Sequence, residues 1–362
     1  MKLFEFYIAQ RICRSFFLSC LFIIFIAWTI QVLQRINLIS GNLHSIVILS
    51  KIAYLLFPSI LPIVIPFCFV VETTQTLAAM HNNSELLIID NTGTSRIALM
   101  KPVLFLATFL SIFLFIVENT AEPRCRIAIK KLNSEAQIGL IFTSLEEDFF
   151  FRLQNNVYIK ILKRFPNNIL QGIFIADSSA PSMRRVYYAQ SGFMNLDNKS
   201  LVLYNGEIHL KSLTSQDTSI IKFDSYILDM KSLIASNNVN IKAKDRDLSF
   251  LLNPDLNDPQ YDKSKIGEYR SELHQRLTQW LFPIIFGLTA IAFINKSGSL
   301  RHSIKLHPTF MSLVTSFGVY WSFSYITHSI EQDFFYVPIL YLFLLFVLGT
   351  LLFVAMRKHT RT

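Results

Sequence analysis

Six long apolar segments, three near each end of the chain, constrain its fold more than any other feature of the sequence. About 155 mostly polar residues separate the two groups. Each segment holds about the 20 apolar residues that a helix needs to cross roughly 30 Å of hydrocarbon, and lipid requires that its backbone polar groups pair within the segment. The sequence therefore predicts an α-helical membrane protein with six transmembrane helices, at 15–33, 52–71, 97–117, 277–294, 309–327 and 334–356.

Lysine and arginine are distributed unevenly among the segments that join these spans. On the side opposite to the termini, the short connecting segments hold only two basic residues, Arg35 and Lys51. Because positively charged loops stay in the cytoplasm, the sequence predicts that both termini are cytoplasmic and that residues 119–275 lie outside. The formal net charge of +9 follows from this topology and does not indicate a nucleic-acid partner. The basic residues predicted to be cytoplasmic are Lys2, Arg11, Arg14, Arg96, Lys101, Lys296, Arg301, Lys305, Arg357, Lys358 and Arg361.

Between 145 and 230 the apolar residues change to the period of two that is typical of β-strands. Segments 149–153 and 157–161 flank the turn-prone pair Asn155-Asn156, which predicts a hairpin with one apolar face. Further strands are predicted at 172–176, 185–189, 201–204, 207–210 and 220–227, separated by turns at 177–179, 197–199 and 205–206.

Short strands at this spacing are typical of a sandwich or a jelly roll. The predicted domains are transmembrane helices 1–3 at 1–118, an all-β, jelly-roll-like periplasmic domain with helical connectors at 119–275, and transmembrane helices 4–6 at 276–362. A cytoplasmic helix is predicted near 83–91, inside the first of these. Periodicity alone favours an ordinary hydrophobic core as the role of the apolar face.

Several kinds of chemistry are missing from the sequence. No glycine precedes a lysine, so a phosphate-binding P-loop is excluded, and there is no H-E-x-x-H zinc motif. Asp and Glu are absent from the predicted span centres, which disfavours an ion-driven transporter. The remaining alternatives are a membrane subunit that takes energy from a partner and a membrane anchor for the outer domain.

A short cytoplasmic segment after the second span bears on this choice. Asn83-Ser84 can cap a helix, Glu85 lies in its first turn, and residues 86–89 are apolar. A short amphipathic helix with an acid near its start suits docking to a soluble partner. It equally suits a helix that lies on the bilayer surface, with Glu85 at the positive end of the helix dipole.

Residues 83–95, NSELLIIDNTGTS, resemble the S-E-[LI]-x-x-[ML]-x-x-x-G-x-S coupling segment of the LptF/LptG permease family. These permeases are the membrane subunits of the ABC transporter that extracts lipopolysaccharide from the inner membrane. The resemblance also includes VYI at 157–159, GIFIAD at 172–177 and RSELHQRL at 270–277, the last of which is more similar to LptF than to LptG. The chain departs from the family pattern at 89–92, where the family has Met or Leu and small residues.

The resemblance implies a multi-pass protein of the bacterial inner membrane that transports and is not itself an enzyme. It implies a heterodimer with an LptG-like second permease on an LptB-like ATPase dimer, which would bind the ATP, so that this chain needs no cofactor. LptC-like and LptA-like bridge proteins would receive the lipopolysaccharide, and the spans would contact membrane lipids. Spans one and five would form lateral gates against the partner's spans.

The resemblance also implies two sets of site residues. Arg35, at the outer end of span one, is expected to bind a lipid phosphate, although snorkelling to the interface would explain it equally well. The apolar face of the hairpin is expected to line an acyl-chain groove, with a closed core as the alternative. The coupling set is Ser84, Glu85, Leu86, Leu87, Gly93 and Ser95, and the lipid-binding set is Arg35, Arg124, Arg126, Phe151, Leu153, Val157, Ile159 and Phe174.

A second function fits the same layout. A structural or sensory protein would use the spans as an anchor and the outer β-domain to bind a partner. Copurification of an ATPase distinguishes the two functions, because only the permease requires one.

Overall fold

The protein forms two compact units, which we describe separately. The helical unit comprises residues 1–31, 55–126 and 242–362, and the sheet unit comprises 32–54 and 127–241. The structure is a computed structural model that describes residues 3–36, 43–86, 88, 96–144, 147–153, 157–165, 169–180, 183–195, 200–212, 218–229, 241–255, 258, 261–297 and 307–356.

Helices occupy both ends of the chain and strands occupy its middle. A π-helical turn, Val117–Ala121, joins α3 to α4, and a 3₁₀ turn, Ala243–Asp245, precedes α5. The helices are α1 Leu3–Leu33, α2 Leu43–Asn82, α3 Arg96–Ile116, α4 Glu122–Ser144, α5 Leu248–Leu252, α6 Ile266–Gln279, α7 Phe282–Ser297, α8 Pro308–Ile330 and α9 Tyr336–Met356. The strands are β1 Phe150–Leu153, β2 Val157–Phe165, β3 Ile169–Ala180, β4 Met183–Asn195, β5 Ser200–Ser212 and β6 Thr218–Asp229.

Among the described residues, four helical stretches are long and apolar enough to cross a membrane: Phe4–Leu33, Ile46–Asn82, Met100–Ser134 and Tyr336–Met356. A fifth results if α6 and the first part of α7, which meet at a bend of 48°, form one broken span. The predicted count of six is therefore not confirmed, and the predicted span 277–294 crosses the break between α6 and α7.

Helices α7 and α8 account for the difference between the six predicted spans and the four or five candidate spans of the structure. Helix α8 covers the predicted span 309–327 and is long enough to cross a membrane. Many of its residues are Ser or Thr, however, so it is not apolar enough to be a candidate span. Helix α7 has 16 residues and is about 24 Å long, which is shorter than the hydrocarbon layer. Its apolar residues Ile285, Phe286 and Leu288 are fully buried, and it packs against α3, α8 and α9. Helix α7 is thus an interior helix, which is apolar all round because protein covers it.

The strands form a single antiparallel sheet in which β1 to β6 follow one another in chain order. The predicted hairpin is confirmed: Phe151 pairs with Ile159, and Leu153 with Val157. Because the described residues form this one sheet and no second one, the predicted jelly-roll topology is not confirmed.

Two predicted turns lie inside strands. Residues 205–206 were expected to separate two strands, but β5 continues through them with its pairing to β4 unchanged on both sides. Asn205 takes a left-handed φ of 50°, which deforms the backbone locally without reversing it. Residues 177–179 lie in β3, where the register to β4 shifts. The predicted turns at 155–156 and 197–199 lie outside the described residues.

Gly206 is expected to resist substitution. A Cβ atom at this position would lie 2.2 Å from the carbonyl oxygen of Tyr188 and 2.5 Å from the ring of Phe223. Gly206→Ala should therefore destabilise the sheet by about 1–3 kcal/mol, the usual cost of overpacking. Gly349→Ala in α9 is the matched control, because a Cβ there meets no atom within 4 Å. Thermal unfolding followed by the circular dichroism of the sheet should distinguish the two variants, and equal midpoints would contradict the prediction.

Candidate coupling and lipid-binding sites

A tight left-handed turn begins the predicted coupling segment. Helix α2 ends at Asn82, and Ser84 takes a φ of 61°. The Ile88 amide donates to the Ser84 carbonyl at 3.2 Å, as in the first turn of a helix. Ser84 thus forms the turn that joins α2 to the coupling segment, and its backbone carbonyl accepts the first helical hydrogen bond.

The start of the coupling segment is amphipathic. Leu86 is buried in the same apolar cluster as Ile8 and Ile12 of α1 and Leu77 of α2, whereas Ile88 is exposed. Leu86 therefore anchors the segment to the helical unit and leaves the Ile88 side open. Leu87, Gly93 and Ser95, the other predicted coupling residues, lie outside the described residues.

Glu85 has an ionic partner within the chain, which the sequence did not reveal. Nη1 of Arg11, on α1, lies 3.1 Å from Oε1 and 3.0 Å from Oε2 of Glu85. Both side chains keep about a third of their surface exposed, 32% for Arg11 and 31% for Glu85. The pair links the coupling segment to α1 and leaves the carboxylate accessible to a further cation.

The predicted acyl-chain residues do not all share one face of the sheet. Val157 and Ile159 are fully buried, and Phe151 packs against the cluster that contains them. Phe174 is a correction: it pairs with Lys160 and lies on the opposite face, where its ring contacts Phe150 and Tyr188. The alternation of strand side chains is the reason, since Phe174 falls between two inward residues of β3. Leu153 is paired with Val157 in the register.

The three predicted lipid-binding arginines have different surroundings. Arg35 follows α1 and is half-buried, and burial lowers the pKa of its guanidinium, which remains charged because the ordinary pKa of arginine is so high. Arg124, on α4, is exposed. The Arg126 Nε donates to Glu122 Oε1 at 2.9 Å, so this arginine is engaged by its own helix.

Two buried carboxylates directly follow the predicted second and third spans. The predicted second and third spans ended immediately before Glu72 and Glu118. The apolar helical stretches continue to Asn82 and Ser134, and Glu72 and Glu118 within them are buried. The Ser19 hydroxyl on α1 donates a hydrogen bond to Glu72. The prediction concerned the span centres, and these two carboxylates lie beyond the predicted apolar runs, where the helical stretches continue.

A buried ion pair fixes α6. The Arg276 Nε donates to Glu272 Oε1 at 2.7 Å, one helical turn away, with side chains only 6% and 11% exposed. Nη1 and Nη2 of Arg276 donate to the carbonyls of Arg246 and Lys244, each at 2.8 Å. Arg276 thus ties α6 to the segment that precedes α5. Spacing of four residues within RSELHQRL is the sequence signal that would have indicated the pair.

Comparison with known proteins gives a family match along almost the whole chain. The sequence model of the lipopolysaccharide export system permeases LptF/LptG matches residues 6–359. An uncharacterized protein of Rickettsia prowazekii (strain Madrid E) is 23% identical over 321 residues, which is 87% of each chain.

Proposed function

The chain belongs to the LptF/LptG family of lipopolysaccharide export permeases, and we propose that it is one of two permease subunits of an ATP-driven transporter. In this proposal an LptB-like ATPase dimer hydrolyses ATP, an LptG-like chain is the second permease, and lipopolysaccharide passes to LptC-like and LptA-like bridge proteins. The supporting observation is that the family match extends over the helices at both ends and the sheet between them. Its test is purification of the complex in mild detergent, which should recover an ATPase with this chain; a chain that purifies without one would favour the anchor function.

The chain is a multi-pass inner-membrane protein, and we propose that both termini are cytoplasmic and the sheet periplasmic. The motivation is the uneven distribution of lysine and arginine. A reporter fused after Thr362 should be active only in the cytoplasm and one inserted near Asp197 only in the periplasm. Activity of both on one side would contradict this orientation.

For coupling, we propose that the surface around Glu85 docks on the ATPase. The open Ile88 side and the accessible carboxylate supply an apolar and an acidic contact, while Leu86 holds the segment on α1 and α2. The Arg11–Glu85 pair would transmit a shift of the coupling segment to α1, which is expected to form a lateral gate.

For the lipid path, we propose that the apolar face of the sheet receives acyl chains. Val157 and Ile159 are 0% and 1% exposed, so the face is closed in this structure and lipid would have to displace part of its packing. Phe151 is only partly buried and packs beside them, which makes it an accessible position of this face.

A photo-crosslinking phenylalanine analogue at Phe151 should capture lipopolysaccharide in an ATP-dependent manner. Tyr158 is the matched control, since it is an aromatic residue of the adjacent strand that points to the opposite, exposed face. Capture at both positions, or at neither while ATP is hydrolysed, would assign these residues to a closed core.

Val157→Thr, which keeps the shape but adds a hydroxyl, should reduce export because an unpaired polar group there costs about 1–3 kcal/mol.

A further inference from the structure

A cavity of about 610 Å³ lies within the helical unit. It is lined by residues of α2, the π-helical turn, α4, α6 and α8, and by the segment that precedes α5. Glu118, in the π-helical turn, is one of its lining residues. We refer to this space as the Glu118 cavity.

Glu118 is a buried carboxylate that lacks a hydrogen-bond partner. Its residue surface is 4% exposed, and neither carboxylate oxygen has a donor within the described part of the chain. A carboxylate removed from water is strongly unfavourable unless a charge or a donor compensates it. The π-helical turn that carries it is a form of helix often found at functional sites.

The two arginines that line the cavity, Arg126 and Arg276, are already engaged. The charged neighbours of Glu118 are Glu122, Glu272 and Arg276. Arg276 is paired with Glu272 and donates to two carbonyls, and Glu122 is paired with Arg126. Each arginine is thus held by its own acid, and both carboxyl oxygens of Glu118 remain without a donor among the described residues.

We propose that the Glu118 cavity binds a primary ammonium group, with Glu118 as its counter-charge. The cavity is much larger than a bare ion, and among the described residues no three His, Cys, Asp or Glu side chains are grouped to hold a metal. An ammonium group has three donors and no acceptor, so it can satisfy both Glu118 oxygens and a third acceptor such as a lining hydroxyl. Ser324 and Tyr320 supply such hydroxyls in the cavity lining. Binding of an ammonium group in this cavity does not depend on the proposed transport function.

The ammonium group can come from a lipid headgroup or from a soluble amine. Lys242 and Lys244 also line the cavity. Their positive charges could attract a phosphate group that lies next to the ammonium group of the same lipid. Phosphatidylethanolamine is therefore the first probe, and phosphatidylcholine with identical acyl chains is its control. The quaternary ammonium of choline carries the same charge but has no N–H donor.

The experiment uses the full chain, purified with its natural partners, in nanodiscs of either lipid. Native mass spectrometry after transfer to detergent counts the retained lipid. The unaltered chain should retain phosphatidylethanolamine over phosphatidylcholine, and Glu118→Gln should lower this retention about tenfold, as expected for loss of one charge-assisted contact. Glu331→Gln should retain it, because Glu331 lines the same cavity but is exposed and pairs with His328.

Free ethanolamine identifies the source of the ammonium group. If the natural ligand is a lipid, millimolar ethanolamine should displace phosphatidylethanolamine only partly; if it is a soluble amine, ethanolamine should raise the unfolding midpoint even in phosphatidylcholine nanodiscs. Equal retention of both lipids together with no effect of ethanolamine on the unaltered chain overturns the proposal, and this measurement needs no variant that might fail to fold. Equal retention by Glu118→Gln and the unaltered chain also overturns it. Neither outcome changes ATPase copurification, which tests the transport function.

Discussion

Replacing Arg276 with methionine is expected to lower the free energy of unfolding by about 3–5 kcal/mol, the usual effect of removing one member of a buried ion pair. Glu272 would remain buried without its partner, and the carbonyls of Lys244 and Arg246 would each lose a donor. Methionine preserves most of the side-chain volume, so the loss would reflect charge and hydrogen bonding more than packing. SDS titration of the purified chain in mixed micelles, followed by helical circular dichroism, measures the change.

Two further variants isolate the cause. Lys265→Met removes one member of the pair with Asp262, which is much more exposed, and should change stability little. Arg276→Met combined with Glu272→Leu removes both charges and should recover part of the stability, because an apolar pair is often as stable as a buried ion pair. If Arg276→Met is no less stable than Lys265→Met, the Arg276–Glu272 pair does not stabilise α6.

The sequence was most informative where one periodicity extends over a whole element. The first hairpin illustrates this, because alternation fixes the face of every residue once one pair is placed, and Val157, Ile159 and Ile161 are all buried as expected. Hydrophobicity placed the predicted spans in helical parts of the chain for a similar reason, although it missed the break between α6 and α7. It could not separate an interior helix such as α7 from a lipid-facing one, because both are apolar all round.

The sequence was least informative where one residue depends on another far along the chain. Asn205-Gly206 is a strong local turn signal, but pairing of β5 with both of its neighbours keeps the strand continuous there. Arg11 and Glu85 are 74 positions apart, and only the packing of α1 against the end of α2 brings them together. Glu118 was excluded from the third span because the apolar run, and not the helix, ends before it.

Reversing the charge of Glu85 is expected to reduce ATP-driven lipopolysaccharide export at least tenfold while the chain remains folded and inserted. In Glu85→Lys the new ammonium would face Arg11 and would replace the acidic contact proposed for the ATPase with a positive charge. Because the pair is about one-third exposed, its own contribution to stability is only about 0–1 kcal/mol, so unfolding should hardly change. Export in reconstituted proteoliposomes, with ATPase copurification measured on the same preparation, separates lost coupling from lost protein.

The charge-swapped double variant, Arg11→Glu with Glu85→Arg, distinguishes the two contacts of Glu85. The swap restores an ion pair between α1 and the coupling segment but presents the wrong charge to the ATPase. If docking requires the Glu85 carboxylate, the double variant should export as poorly as Glu85→Lys. If the link to α1 is what matters, the swap should restore export, and Arg11→Gln alone should impair it as much as Glu85→Gln. Normal export and normal ATPase binding in Glu85→Lys would exclude both roles, and Glu85 would then serve only to start a helix on the membrane surface.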